Sequence, residues 1–419
     1  MKVLLLGSGA REHSIAWKLR QSPRLSRLWA APGSDAISGL AEIARVNALD
    51  PASVAAFCRE NAVDLLFVGP EAPLEAGVAD AARAAGIKVF GPSREAARLE
   101  TSKAFAKSFM SRHRVPTARS LVAHSAADAK AAAREFAGSC AVKADGLAAG
   151  KGVVVCGSLA EAEAAADALS ATTAGARLVV EERLEGPELT AMLLVDGKNW
   201  SALPLSRDHK RLLDGDAGPN TGGMGALSPA PIAPADWKRA RSEIFDRTLA
   251  GLRADGLDYR GALYVGLMMT ADGPRVIEYN ARLGDPETQT VLPLLDADLL
   301  TLAERCADGR LGEGPIPAAA GACVGVTLAS PGYPDSPRAG VDIDLSAVDG
   351  MPGVMIFHAG TRKTDGGWRA VGGRVLTVVG RGGDLAAARS RAYEAVAKVR
   401  APGLLWRSDI AAATASSGV

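Results

Sequence analysis

Glu278, Asn280 and Arg282 stand at alternate positions in the run Val276-Ile277-Glu278-Tyr279-Asn280-Ala281-Arg282. The run opens as a β-strand, whose side chains alternate between faces, so a carboxylate, an amide and a guanidinium are expected on one surface. A carboxylate and an amide carbonyl are hard oxygen donors of the kind Mg²⁺ accepts, with waters and phosphate oxygens completing its shell. Glu-x-Asn is a short pattern, and a solvated strand face ending in a turn is its plain structural alternative. The metal reading therefore requires phosphate-binding groups elsewhere in the chain.

Lys143 is the first candidate. Residues 141–144 read as strand, Asp145-Gly146-Leu147-Ala148-Ala149-Gly150-Lys151-Gly152 as loop, and residues 153–156 as strand again. A P-loop needs four residues between its glycines, Ser or Thr after its lysine, and then a helix. Here Gly146 and Gly150 enclose three residues, Gly152 follows Lys151, and a strand comes next, so that motif is excluded. What remains is a glycine-rich hairpin tip. It reads either as an ordinary exposed turn or as a mobile lid whose N–H groups fold over polyphosphate, with Lys143 as a fixed charge in the flank.

Further along, an apolar strand at 178–180 runs into Glu181-Glu182-Arg183-Leu184-Glu185-Gly186-Pro187-Glu188, a place where backbone groups could read an adenine and a carboxylate a ribose. A hairpin around Asp196-Gly197 follows. Then comes a long polar loop with Asp208-His209-Lys210-Arg211 and Asn220-Thr221-Gly222-Gly223-Met224-Gly225, more typical of ligand binding than of a linker.

The elements that must position these groups begin at residue 3. An apolar run at 3–6, the turn Gly7-Ser8-Gly9-Ala10-Arg11-Glu12-His13 and a helical pattern open a βαβ unit; strands at 25–31, 64–68 and 87–90 extend it. That alternation predicts an open parallel α/β sheet. A dinucleotide site is disfavoured, because Glu12 stands where the third glycine belongs and the second strand runs into Ala31-Pro32-Gly33-Ser34 without a ribose-binding acid. An anion site at the helix start, with Arg11 and His13 nearby, remains open beside a tight turn with nothing bound. A helix is expected over 94–111 carrying Lys103, a second over 237–252, and a hairpin joining 262–270 to 275–280. Strands at 323–328, 354–358 and 374–379 and a helix at 385–399 predict a small α+β unit at the end.

Lys plus Arg (48) nearly balances Asp plus Glu (47), so no basic field points to nucleic acid or an anionic membrane. Five scattered cysteines have no spacing suited to zinc or a disulfide framework, and buried free thiols in a reducing cytoplasm are expected. No apolar stretch approaches the length of a membrane helix, and the short run at the start is unlike a signal peptide.

Gathered together, these motifs resemble the ATP-grasp ligases, and among them the phosphoribosylamine-glycine ligase family. The resemblance rests on residues 7–13, Gly69-Pro70-Glu71-Ala72-Pro73-Leu74, Lys103-Ala104-Phe105-Ala106-Lys107, residues 143–152, Asp208-His209-Lys210-Arg211, residues 220–225 and Arg282-Leu283-Gly284-Asp285-Pro286-Glu287. It implies an N-terminal domain over 1–100, an ATP-grasp domain over 101–320 with a mobile lid near 121–189, and a C-terminal domain over 321–419. It also implies an ATP-dependent joining of 5-phosphoribosylamine and glycine through a glycyl phosphate.

Carried over by position, Glu278 and Asn280 hold Mg²⁺ or Mn²⁺; Lys103, Lys143 and the lid residues Gly150, Lys151 and Gly152 hold the ATP phosphates. Glu181 and Leu184 flank the adenine and Glu188 the ribose. Arg282, Asp285 and Lys210, with Thr221, Gly222, Gly223 and Gly225, face the acyl phosphate or glycine, and Gly9, Arg11 and Glu12 hold phosphoribosylamine. The partners implied are small molecules, with no nucleic acid or membrane, for a cytoplasmic monomer or at most a weak dimer. Three departures stand out: Ala10 and Thr101 where the family often has glycine, and Gly186-Pro187-Glu188 in place of Gly-Glu-Glu, where Pro187 lacks an N–H beside the adenine strand. The alternatives are another ATP-grasp ligase, such as a biotin-dependent carboxylase component or a formate-using transformylase, then a nicotinamide oxidoreductase, then a silent nucleotide binder.

Overall fold

The computed structural model describes residues 1–147, 152–172, 177–312 and 314–412. Strands β1 (Lys2–Gly7), β2 (Arg27–Pro32), β3 (Glu42–Ile43), β4 (Leu65–Val68) and β5 (Lys88–Phe90) form a sheet in the order β3-β2-β1-β4-β5. Every neighbouring pair is parallel, as the βαβ pattern predicts. The run in β1 is continuously apolar because both faces are covered: Val3 and Leu5 pack into one core, Leu4 and Leu6 into another. Strand order reverses about β1, so a crevice opens beyond the carboxyl ends of β1 and β4, where open α/β sheets bind ligands.

The lid sheet places Ser120–Ala123, Leu178–Glu182, Cys140–Ala144 and Val153–Cys156 in that order, all antiparallel. Helices Ala126–Glu135 and Leu159–Thr172 cover one face, where Ala129, Ala133, Ala162 and Ala166 meet Val142, Ala144 and Val180. Alternation then turns Lys143 and Glu181 to the opposite face. The next sheet orders Trp200–Ala202, Glu188–Asp196, Arg260–Thr270 and Gly273–Asn280, again antiparallel. Its last strand carries a bulge: Gly266 pairs with Glu278 but Leu267 with Val276, leaving Ile277 as the extra residue. The bulge reverses the alternation, so Val276 stays in the core while Glu278 and Asn280 face the cleft.

A five-stranded antiparallel sheet orders Arg207–Asp208, Gly225–Ser228, Ala322–Ala329, Arg374–Gly382 and Val354–His358, with helix Leu385–Lys398 packed on it. Two of its strands come from the segment read in sequence as one long polar loop. That segment also holds the hairpin Arg211–Leu213 with Ala217–Asn220. Strands of two to four residues rich in glycine and charge carry too little apolar alternation to be recognised. The single helix expected over 94–111 is also corrected: Ser102, at φ −141° and ψ 108°, separates Arg98–Thr101 from Lys103–Arg112, and its hydroxyl accepts from the N–H of Phe105. Lys103 is thereby placed in the first turn of a new helix, facing the lid.

Candidate active site

A cavity of about 380 Å³ opens where the crevice of the parallel sheet, the lid and the central strands face one another. Of the ATP-site residues expected from sequence, Lys103, Lys143, Gly152 and Glu181 line it, as do Glu278, Asn280, Arg282, Asp285 and Lys210. Arg11, Thr221 and Gly222 complete the group that converges there. Gly150 and Lys151 lie outside the described residues.

The charges are cross-connected. Glu278 faces Lys210 Nζ at 3.5 Å, and Lys210 also pairs with Glu188 at 3.0 Å. Burial alone would raise the Glu278 carboxyl, but Lys210, Lys143, Lys103 and Arg282 outweigh it and hold it below the ordinary range. The same carboxylates oppose burial at Lys210 and push its ammonium well above the usual lysine value. Lys103 is lowered by burial, with Glu278 opposing, and its Nζ donates to the carbonyl of Gly146 at 2.9 Å. Among the described residues no group of three or more His, Cys, Asp or Glu forms a preassembled metal cage. Glu278 and Asn280 therefore fit a cation that takes oxygens from its substrate as well, the habit of Mg²⁺ at phosphate sites.

Arg282 is fixed from the parallel-sheet side, with Nε 3.2 Å from Glu71 and Nη2 3.0 Å from Glu100. Glu100 also accepts from the N–H of Ala281 at 2.6 Å, and burial, partly offset by Arg282, pushes its carboxyl up to about 7. Asp285 is held in place by Gln289 Nε2 at 2.7 Å and Arg374 Nη2 at 2.9 Å. Burial would raise its carboxyl; Arg374 and Arg11 bring it below the ordinary aspartate value.

Several expected residues stand back from the cavity. Glu12 is buried beneath the glycine turn, where its carboxylate accepts from the Gly9 N–H at 2.8 Å and from Arg11 Nε at 2.5 Å. It fills the space of the missing glycine side chains: a Cβ on Gly7 would lie 2.3 Å from Glu12 Cγ, and one on Gly69 2.6 Å from its Oε1. The free anion site expected at this helix start is thus corrected, because the anion is the chain's own Glu12. His13 does not supply charge either. Burial, with His358 adding to it, lowers His13 to about 3, and its Nδ1 accepts from the N–H of His358 at 2.9 Å.

Leu184 and Gly9 are not on the wall, and Glu188 reaches the site only through Lys210. Gly223 abuts Pro286, where a Cβ would fall 2.4 Å from Cδ, and Gly225 is buried in a strand against the carbonyl of Gly325. These two glycines serve close packing of the loop rather than lining the cavity.

Sequence reasoning missed Lys107, Asp208, Tyr264, Glu287 and Arg374, all on the wall. Lys107, four residues after Lys103, shares its helix face, a spacing that could have flagged it. Asp208 and Glu287 lay inside runs already singled out, and burial raises both carboxyls. Arg374 comes from the C-terminal sheet and has no local signal.

Family models match the chain in succession: phosphoribosylglycinamide synthetase N domain over residues 1–100, ATP-grasp (A) domain over 101–288 and C domain over 323–413. The chain is 47% identical to a phosphoribosylamine–glycine ligase of Brucella melitensis over 98% of this chain and 97% of that one. It is also 47% identical to a phosphoribosylamine–glycine ligase of Streptomyces coelicolor over the full length of both. The crystal structure of the Thermotoga maritima phosphoribosylamine–glycine ligase superposes with a TM-score of 0.85 at 35% identity, covering 98% of this chain and all of that one. A biotin carboxylase domain from Hydrogenobacter thermophilus, in complex with MgADP and bicarbonate, superposes with a TM-score of 0.73 at 19% identity over 97% of this chain and 91% of that one, a likeness of fold. By all three successive domains and by full-length relatives, this chain belongs to the phosphoribosylglycinamide synthetase family.

Proposed function

We propose that this enzyme joins 5-phosphoribosylamine to glycine at the expense of ATP, giving glycinamide ribonucleotide, ADP and phosphate. The observation that carries the reading is the convergence of Glu278 and Asn280, the lysines 103, 143 and 210, and the pair Arg282 and Asp285 on one cavity. A carboxylate is a poor electrophile. Transfer of the γ-phosphoryl group to a glycine carboxyl oxygen gives glycyl phosphate; the ribosylamine nitrogen then attacks the carbonyl carbon and phosphate departs with that oxygen. Such chemistry asks for positioning and charge neutralisation rather than a nucleophilic side chain.

In this reading Lys103 and Lys143 bind the ATP phosphates, and Glu278 with Asn280 would hold Mg²⁺, which Mn²⁺ can replace because it accepts the same hard oxygens. When bound, the cation neutralises phosphate charge and orients the transferred group. Lys210, kept cationic by Glu188 and Glu278, faces the negative charge that develops on the acyl phosphate. Arg282, held by Glu71 and Glu100, offers a fixed guanidinium to the same oxygens, while Asp285 and the 221–222 segment border glycine. Arg11 presents its charge to phosphoribosylamine, with Gly9 and Glu12 setting its position. Glu181 borders the adenine, and the glycine-rich hairpin joining Cys140–Ala144 to Val153–Cys156 excludes water from the acyl phosphate.

The proposal includes a division of labour among 1–100, 101–320 with its lid near 121–189, and 321–419, the last sheet borrowing Arg207–Asp208 and Gly225–Ser228. A monomer is proposed as the working unit. All five cysteines are free and buried, which supports a reducing, cytoplasmic setting. The test is ADP release from Mg²⁺-ATP, which is expected to require glycine and phosphoribosylamine generated in place. Release driven by bicarbonate or formate, with glycine inert, overturns the substrate assignment.

A further inference from the structure

Lys107 lies one turn beyond Lys103 on the helix Lys103–Arg112, with its side chain only 6% exposed. Its ammonium meets Glu181 Oε2 at 2.7 Å and donates to Thr117 Oγ1 at 2.8 Å and to the carbonyl of Ala118 at 3.3 Å. The other oxygen of Glu181 lies 2.9 Å from Lys143 Nζ, which also donates to the carbonyl of Ile277 at 3.3 Å. Thr117 Oγ1 donates to the carbonyl of Val276 at 2.7 Å. The contacts therefore leave the strand that bears Glu278 at Val276, pass through Thr117, Lys107, Glu181 and Lys143, and return to that strand at Ile277. One carboxylate is shared by two ammonium groups, both in the wall of the ATP site.

We propose that Lys107 is a positioning residue for ATP: by holding one oxygen of Glu181 it keeps that carboxylate from closing wholly on Lys143, whose ammonium stays available to phosphate. The inference rests on the ATP reading above. Without Lys107, the buried Glu181 keeps Lys143 as its remaining cation, the pair tightens, and the cavity loses one positive charge. Both effects weaken phosphate binding and leave glycine untouched. The lowering of the Lys107 ammonium to about 8, by burial with Glu181 opposing and Lys143 adding, agrees with two cations crowded on one acid.

The test is steady-state kinetics on the full chain. Lys107→Met is expected to raise KM for ATP on the order of 10-fold, the scale of one screened charge contact, with KM for glycine unchanged and kcat within a few-fold. Lys107→Arg, which keeps the charge, is expected to restore most of the ATP affinity. Lys107→Gln takes the place of the Met variant if that chain does not fold. In a Glu181→Gln background, removal of Lys107 is expected to raise KM for ATP by clearly less than in the wild type, because only the loss of its charge then remains. An unchanged KM for ATP in the single variant, or equal additive losses in the Glu181→Gln background, overturns the proposal. Inactivity of the wild-type chain with ATP and both co-substrates would instead overturn the reading on which it rests.

Discussion

Arg374, on a strand of the C-terminal sheet, places Nη2 2.9 Å from Oδ2 of Asp285 in the cleft. Its Nη1 donates to the carbonyls of Asp285 and Gly222, so one guanidinium ties the Asp285 turn to the glycine loop. The C-terminal sheet is thereby part of the active site. Arg374→Ala is expected to raise KM for glycine or phosphoribosylamine at least about 10-fold, the scale of a lost charge-assisted contact, while ATP affinity changes little. Arg374→Lys is expected to recover only part of this, because a single ammonium cannot reproduce the fork. Kinetics with each substrate varied in turn would check both; equal losses for all three substrates would contradict the assignment.

Glu278→Gln keeps the size of the side chain and removes the charge that the proposed function has it offer to the cation. A fall in kcat of about 10²- to 10³-fold is expected, with a raised Mg²⁺ requirement and an unchanged thermal midpoint. The carboxyl is held below the ordinary glutamate range, so it remains ionised throughout neutral pH. A pH–rate profile of the wild type is accordingly expected to show no loss attributable to this group between pH 8 and about pH 5. An unchanged kcat in the variant would refute the metal role.

Acid stability should be governed early by histidine. Burial lowers His13 from 6.5 to about 3, with His358 contributing, and lowers His209 and His358 to about 4. As pH falls through 6.5 the unfolded chain takes up protons that the folded chain refuses until pH 4 or 3. The three histidines therefore make stability fall from pH 6.5 toward 4, and Glu100, raised to about 7 and so protonated first in the folded chain, offsets part of that fall. Denaturant titrations between pH 7.5 and 4.5 would register this, and a midpoint that stays flat down to pH 5 would contradict it.

Much of the site was legible where chemistry and backbone period coincide. Glu278 and Asn280 sit two apart on one strand, and the apolar run of β1 gave away a sheet buried on both faces. The bulge at Ile277 was not legible, although it separates Val276 in the core from Glu278 in the cleft, because bulges depend on the partner strand. Gly223 and Gly225 read as ligand-binding glycines, yet their neighbours Pro286 and the Gly325 carbonyl come from distant segments that no local pattern reveals. Lys107 carried a usable signal in its spacing from Lys103, but a helical lysine is ordinarily solvated and only the arrival of Glu181 from the lid makes it informative. Arg374 reaches Asp285 across 89 positions, and charge pairing at that range is a property of the fold.

Activation of glycine as an acyl phosphate in this cavity leaves a mark on the released phosphate. Glycine labelled with ¹⁸O in both carboxyl oxygens, incubated with the enzyme, Mg²⁺-ATP and phosphoribosylamine generated in place, tests it by mass analysis of the released phosphate. One ¹⁸O is expected in each phosphate formed, because the γ-phosphoryl group leaves with the carboxyl oxygen it received. Phosphate free of label, alongside labelled glycinamide ribonucleotide, would contradict it.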